Sequence, residues 1–325
     1  MYENLTQLIK DNYNFEIIQI EKIADHGDFS KVYKLESIDN KYALKEMGLD
    51  IGLEDEKELI NHLIKKGVNV PKIYSTTTGQ HVLIDNGLQY MLYEFIEGIM
   101  IELNSAPDWF LIKSARTLGK IQNALKDYKK MTIGFEQKFF SKEKYIKTEQ
   151  SIIEKIKLAE INNDKQLFFD LNQRLKHIRK VMFFDFDCDK FTYINSHGDF
   201  YVNQIIIRDK ELVTIDWTWP GCTLACFEVM MSYLYAAPEC KDGIIDIAKF
   251  KPYLNEYLKH APIKLNSYDL KMMPYFIYHY CIFCSFTPPY DNLSKDYFMI
   301  ANLTDKLANW LYHNVENLSN DLCSS

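Results

Sequence analysis

Residues 196–217 read SHGDFYVNQIIIRDKELVTIDW and set His197, Asp199, Asn203, Gln204 and Asp216 around two short apolar runs. A carboxylate on a tight loop before a strand, as at Asp199, can accept the proton of a substrate hydroxyl, or it can simply cap a turn. Asp216 closes the second apolar run, seventeen residues further on. A hairpin of that length can bring its two ends together. Neighbouring carboxylates repel unless one is protonated or a divalent cation lies between them. Magnesium takes carboxylate oxygens and shares its shell with phosphates, so Asp216 with an amide oxygen from Gln204 or Asn203 is a candidate metal set. Lys45, in YALKEM, is a third unusual residue. A lysine between apolar neighbours either marks an edge strand or offers its ammonium to phosphates, with Glu56 of the next helix as its counter-charge.

These side chains need a scaffold that alternation and punctuation largely define. FEIIQIEKIA (15–24), KVYKLES (31–37) and KYALKEM (41–47) read as strands. DHGDFS (25–30) and SIDN (37–40) are the turns between them. A short amphipathic helix precedes them at 1–14. LEDEKELINHLIKKG (53–67) is helical, with Leu59, Leu63 and Ile64 on one face and Gly67 as a stop. VNVPKIY and QHVLIDNGLQYMLYEFIEG add strands. Beyond them the chain turns helical at 108–128, 141–161 and 164–184, and again over most of 224–325. NQIIIRD (203–209) and ELVTIDW (211–217) form the embedded hairpin, turning near Asp209 and Lys210. The expected class is α+β: a small β-rich lobe with one main helix (1–95), then a larger, mostly helical lobe (96–325). Two lobes imply a cleft, where ligands sit.

Composition narrows the function classes. The 325 residues are 47% hydrophobic and 26% charged, as in an ordinary globular protein. The formal net charge of −7 argues against nucleic acid as a partner and tilts mildly towards cationic ligands. No run approaches the ~20 apolar residues of a membrane helix, and the N-terminus lacks a signal-peptide pattern. Seven irregularly spaced cysteines do not make a disulfide framework. Cys281 and Cys284 form an isolated C-x-x-C inside an aromatic run, which reads as buried helix rather than a zinc site. A cytoplasmic protein is expected.

Taken together, H-G-D, the hairpin and I-D-W resemble the small-molecule branch of the protein-kinase-like fold. That branch holds the aminoglycoside phosphotransferases, the choline and ethanolamine kinases, methylthioribose kinase, type II homoserine kinase and the spore-coat kinase-like proteins. The likeness runs from about residue 15 to 310. It implies a kinase using ATP and Mg2+ on a small-molecule hydroxyl: an aminoglycoside, a choline-like amine, a sugar or an amino alcohol. Asp199 would face the acceptor and Asp216 would bind magnesium. Lys45 of YALK would hold phosphates, braced by Glu56. The turn with Gly27 and Ser30 would cover the phosphates, and the backbone from Glu94 to Ile96 in YMLYEFIEG would bind adenine.

DWTWPGCTLACFEV (216–229) keeps the choline-kinase-like spacing, with Glu228 in place of the usual aspartate and expected to brace the loop rather than react. The family's amide slot, counted to the strand, falls on Gln204 rather than Asn203. The acid often found two after the metal aspartate is Thr218, and a helix histidine is Gln122. These departures leave open a second implied reading, a non-catalytic structural or spore-coat-type protein. Tyr233, Tyr235, Tyr275, Tyr278, Tyr280 and Trp219 are candidates to line the acceptor site, although their helical spacing fits core packing equally.

Overall fold

The computed structural model describes residues 2–25, 30–49, 55–129, 131–132, 142–283 and 295–324. They divide into two compact units: Met1–Met100 with Gln204–Thr218, and Ile101–Asn203 with Trp219–Ser325.

The first unit is built on an antiparallel five-stranded sheet in the order β1-β2-β3-β5-β4. Its strands are β1 (Gln19–Asp25), β2 (Ser30–Glu36), β3 (Lys41–Gly48), β4 (Leu83–Asp85) and β5 (Leu88–Glu94). Strand β3 is central, flanked by β2 and β5, and its side chains alternate between the two faces of the sheet, most of them buried or half-buried. Tyr42 and Leu44 point into a core with Tyr33, Leu35, Tyr90 and Leu92, capped by Ile9 and Tyr13 of helix α1 (Glu3–Tyr13). Ala43 and Lys45 take the other face by alternation. The register pairs Ala43 with Tyr93 and Lys45 with Met91, which puts the Tyr93 ring on the same side as Lys45. Helix α1 ends at Asn14, whose left-handed backbone (φ 56°) supplies a C-terminal stop. Helix α2 spans Glu56–Lys65. The strand expected at VNVPKIY reduces to one bridge, Ile73 to Tyr93. Pro71 in its middle has no N–H to give a ladder.

The hairpin is β7 (Ile205–Arg208) and β8 (Glu211–Thr214), turned by Asp209 and Lys210, both at positive φ (52° and 65°). That is the type I′ geometry whose twist suits two antiparallel strands. Although expected within the helical lobe, the hairpin packs with the first unit. Thr214 N donates to Asn69 O (3.0 Å), and Ile99 and Ile207 exchange backbone bonds (3.1 and 2.8 Å). Gly98 permits that bridge, because a Cβ there would strike the Ile207 carbonyl and the Ile206 side chain.

The second unit is helical around a short two-stranded sheet, β6 (Tyr193–Ser196) with β9 (Gly221–Leu224). Neither strand is marked in the sequence by a hairpin turn or a long alternating run. Helix α3 (Asp108–Leu125) packs on α7 (Ile247–His260). Gly119 keeps the two close, with the Tyr257 carbonyl 2.8 Å from where its Cβ would be. The charged pair read from the sequence is α4 (Lys142–Ile161) and α5 (Lys165–Val181), the latter capped by Asp164 accepting from Leu167 N (3.0 Å). Helix α6 (Ala225–Ala236) is buried on every side, and α8 (Ser267–Phe283) pairs with α9 (Lys295–Cys323).

Because Gly98 carries the contact that seats the hairpin on the first unit, Gly98→Ala is expected to lower stability by about 1–3 kcal/mol. The urea midpoint of unfolding measures it.

Candidate functional site

In the first unit, the sheet buries the stem of Lys45 and leaves its residue only 8% exposed. An ammonium so desolvated needs acceptors. It donates to Asp216 Oδ1 (2.5 Å) and to Thr218 Oγ1 (2.5 Å), and the Thr218 hydroxyl donates to the same Asp216 oxygen (2.6 Å). Residues 171 positions apart thus close a three-membered cluster. Asp216 adopts a left-handed backbone (φ 58°), an uncommon state for a non-glycine residue that gathers at functional sites. Its neighbours hold it there. Trp217 is 2% exposed, with Nε1 donating to Thr214 O (3.2 Å), and Ile215 N donates to Gln204 O (2.9 Å). Gln204 ends a one-turn 3-10 helix (Val202–Gln204) and is therefore tied through its backbone to the residue before Asp216.

Glu56 opens α2 and is buried. The Lys45–Glu56 ion pair implied by the resemblance is not formed. Instead Tyr93 Oη donates to Glu56 Oε1 (2.9 Å), and Oε2 is buried with no hydrogen-bond partner among the described residues. Burial pushes the Glu56 carboxyl up to about 7, against the pull of Lys45 and of the Tyr93 hydrogen bond. Glu56 is thus engaged by Tyr93, and the ammonium pairs with Asp216 instead. The Tyr93 phenol is raised well above its usual value, by burial first and then by Glu56.

The remaining expected nucleotide residues lie along the same unit. Ser30 begins β2 opposite Met47. Glu94 ends β5, its carboxylate accepting from Arg208 Nη1 (3.2 Å) and Lys72 N (3.3 Å), and Ile96 is buried just beyond. Gly27 lies outside the described residues, as does Cys284. Cys281 is buried and reduced.

No group of three or more His, Cys, Asp or Glu side chains among the described residues could hold a metal ion. A lone carboxylate beside a hydroxyl, with only the Gln204 backbone tied to the residue before Asp216, does not make a preformed cage. It does suit magnesium, which keeps much of its shell for water and substrate phosphates and needs one or two protein carboxylates.

In the second unit, the loop after β6 carries His197, Gly198 and Asp199. His197 is fully buried, and its Nδ1 accepts from Asp199 N (3.3 Å). Gly198 has φ +83°, and a Cβ there would collide with the Trp219 carbonyl oxygen. Its N–H donates to Glu228 Oε1 (2.9 Å). Behind Glu228, Gln122 donates through Nε2 to Ser196 Oγ (3.1 Å), lies 3.5 Å from Glu228 Oε2, and accepts from Tyr257 Oη (2.6 Å). These buried partners from α3, α6 and α7 fix the loop and leave the Asp199 side chain exposed. Glu228 therefore braces the loop. Gln122, read from the sequence only as a departure, belongs to the same network. Of the aromatic candidates, Tyr233, Tyr235 and Tyr278 are core residues, Tyr275 and Tyr280 are half-buried, and Trp219 is 64% exposed. Tyr93 and Tyr257 carry no local signal, since strand register and helix packing make their contacts.

Comparison with known proteins adds three findings. The sequence model of the phosphotransferase enzyme family matches residues 24–262. No curated protein matches the chain in sequence. Among solved structures, an amicoumacin kinase in complex with AMP-PNP, Ca2+ and Ami superposes with a TM-score of 0.65 at 16% identity, covering 97% of this chain and 93% of that one. A microcompartment-associated aminopropanol kinase gives 0.64 at 10% identity, with 97% and 98% covered. A spectinomycin phosphotransferase with ADP and spectinomycin gives 0.60 at 13% identity, with 98% and 97% covered. These likenesses show a shared protein-kinase-like fold, with a small antiparallel-sheet lobe and a helical lobe.

The Glu56 environment gives a pH dependence. A carboxyl raised from 4.5 to about 7 on folding favours the folded state below pH 4.5. That contribution is lost progressively as pH rises and is gone once pH passes about 7, because the folded state binds more protons across the interval. The stability of Glu56→Gln relative to the parent is expected to grow from pH 5 to pH 7.5, by roughly 1–3 kcal/mol. Thermal melts of both proteins across that range test it, and parallel pH profiles would refute it.

Proposed function

The chain belongs to the phosphotransferase enzyme family, and from that premise we propose that it is an ATP-dependent kinase acting on a hydroxyl of a small molecule. The observation that carries this reading is the cluster of Lys45, Asp216 and Thr218, which gathers a phosphate-binding cation and a metal-binding carboxylate from distant parts of the chain. Lys45 gives its ammonium to the nucleotide phosphates, and Glu56 balances that charge when the ammonium turns to it. The turn with Gly27 and Ser30 covers the phosphates, and the backbone from Glu94 to Ile96 receives the adenine. Asp216 holds the divalent cation, with Gln204 as its amide partner. When bound, Mg2+ neutralises phosphate charge as the γ-phosphoryl group departs.

Asp199 orients the acceptor hydroxyl and takes its proton as the oxygen forms the new bond to phosphorus and the bond to ADP breaks. Glu228, Gln122 and Tyr257 keep that loop from moving, so that most of the catalysis is positioning. The acceptor is a cationic small molecule, an aminoglycoside, choline-like amine or amino alcohol, with sugars as the neutral alternative. The net charge of −7 favours a cation, and the exposed Trp219 face suits an ammonium group. The cytoplasm, where ATP is plentiful, is the proposed compartment; no described helix is long and apolar enough to cross a membrane.

Thr218 and Gln204 favour a second reading, a kinase-like protein without catalysis, because each replaces a residue common in the family. A nucleotide thermal-shift assay separates the two. The kinase is expected to be stabilised by ATP in the presence of Mg2+ and to release ADP with a panel of hydroxylated amines. No response to any nucleotide supports the non-catalytic protein.

Asp199→Asn and Asp216→Asn are each expected to lower kcat by about 10^3 or more. A fully active Asp199→Asn variant would overturn its assignment. For a cationic acceptor, Trp219→Ala is expected to raise KM roughly tenfold with little change in kcat, measured by ADP release at saturating ATP.

A further inference from the structure

The ammonium of Lys45 lies where a metal ion would be wanted. It is 2.5 Å from Asp216 Oδ1, and the Thr218 hydroxyl closes the contact by accepting from Lys45 and donating to the same carboxylate oxygen. That oxygen already receives two donors. The other carboxylate acting on Lys45 is Glu56, which is engaged by Tyr93 and is pushed towards its neutral form by burial. The carboxylate in direct contact with the ammonium is therefore that of Asp216. Thr218 is uncharged, so it adds no second acid with which an arriving cation could outbid the lysine. A dication approaching Asp216 meets a fixed positive charge a few ångströms away, in a setting where charges are only partly screened.

We infer that Lys45 is an internal counter-cation that competes with the divalent cation for Asp216, so that a bare cation binds poorly until nucleotide phosphates draw the ammonium away. This rests on the assignment of the cation to Asp216 proposed above. Phosphate oxygens offer the ammonium a replacement partner and, at the same time, supply the cation with ligands. Nucleotide and cation therefore promote each other's binding, and the coupling is reciprocal. Thr218 is a positioning residue in this arrangement, since its hydroxyl ties the ammonium and the carboxylate together.

The test uses Mn2+ alone as the probe, with free Mn2+ read by electron paramagnetic resonance, on the full chain without nucleotide. Removing the competitor should strengthen cation binding, even though the same change removes a phosphate-binding group. Lys45→Met is expected to tighten Mn2+ binding about tenfold, within the usual range of coupling between sites. Lys45→Gln, a polar side chain of lesser length, repeats the measurement should the methionine variant fail to fold. Asp216→Asn should weaken Mn2+ binding, and the double variant Lys45→Met with Asp216→Asn should bind as weakly as Asp216→Asn alone. Adding AMP-PNP should tighten Mn2+ binding more in the parent than in Lys45→Met.

If the lysine variants bind Mn2+ no better than the parent while Asp216→Asn binds less, the competition is refuted and the cation assignment stands. If Asp216→Asn binds Mn2+ undiminished, the assignment itself falls, and the inference with it.

Discussion

A lysine on the central strand of a sheet loses most of its water, and an ammonium without water must find oxygen. That requirement organises the first unit. Strand β3 is central in the sheet, and Lys45 projects from a face that is covered, leaving it 8% exposed. Glu56 is shut in even more completely and drifts towards its neutral form. The charge is met by Asp216, which reaches it by adopting a left-handed backbone at the exit of β8. The hairpin, its tight I′ turn, the seat on Gly98 and the buried Trp217 indole all serve to bring one carboxylate to one ammonium.

The second unit solves a different problem. The Asp199 side chain is exposed, while its loop is held from beneath through its backbone. Glu228 takes the Gly198 N–H, and the Asp199 N–H goes to His197. Gln122 and Tyr257 continue the support into α3 and α7. The side chains that hold the loop, those of His197, Glu228, Gln122 and Tyr257, are all buried, where a hydrogen bond is least disturbed by water.

Much of this was legible in the chain. Alternation in KVYKLES and KYALKEM marked β2 and β3, and the spacing of H-G-D and I-D-W marked the loop and the hairpin. Lys45 stood out because its neighbours are apolar. What could not be read depended on register and packing. Tyr93 reaches Glu56 because Ala43 happens to pair with Tyr93 across the sheet. The strands β6 and β9 are four residues each and lie 25 positions or more apart, too short and too separated to declare a pattern. The hairpin's allegiance to the first unit came from backbone bonds to Asn69 and Ile99, and backbone bonds leave no trace in residue type. Gln122 looked like a lost histidine, but an amide can both donate and accept, which is what its place between Tyr257 and Ser196 demands.

The turn after β8 has one more property. Trp217 and Trp219 stand on either side of Thr218, the first sealed from solvent and the second largely open to it. The chain contains only four tryptophans, so half of its indole chromophores flank the residue that bridges Lys45 and Asp216. A dry indole emits to the blue of a wet one. Two of the four indoles thus report on this one turn, Trp217 on whether it is intact and Trp219 on what has come to lie against it, over the emission of Trp109 and Trp310 elsewhere in the chain.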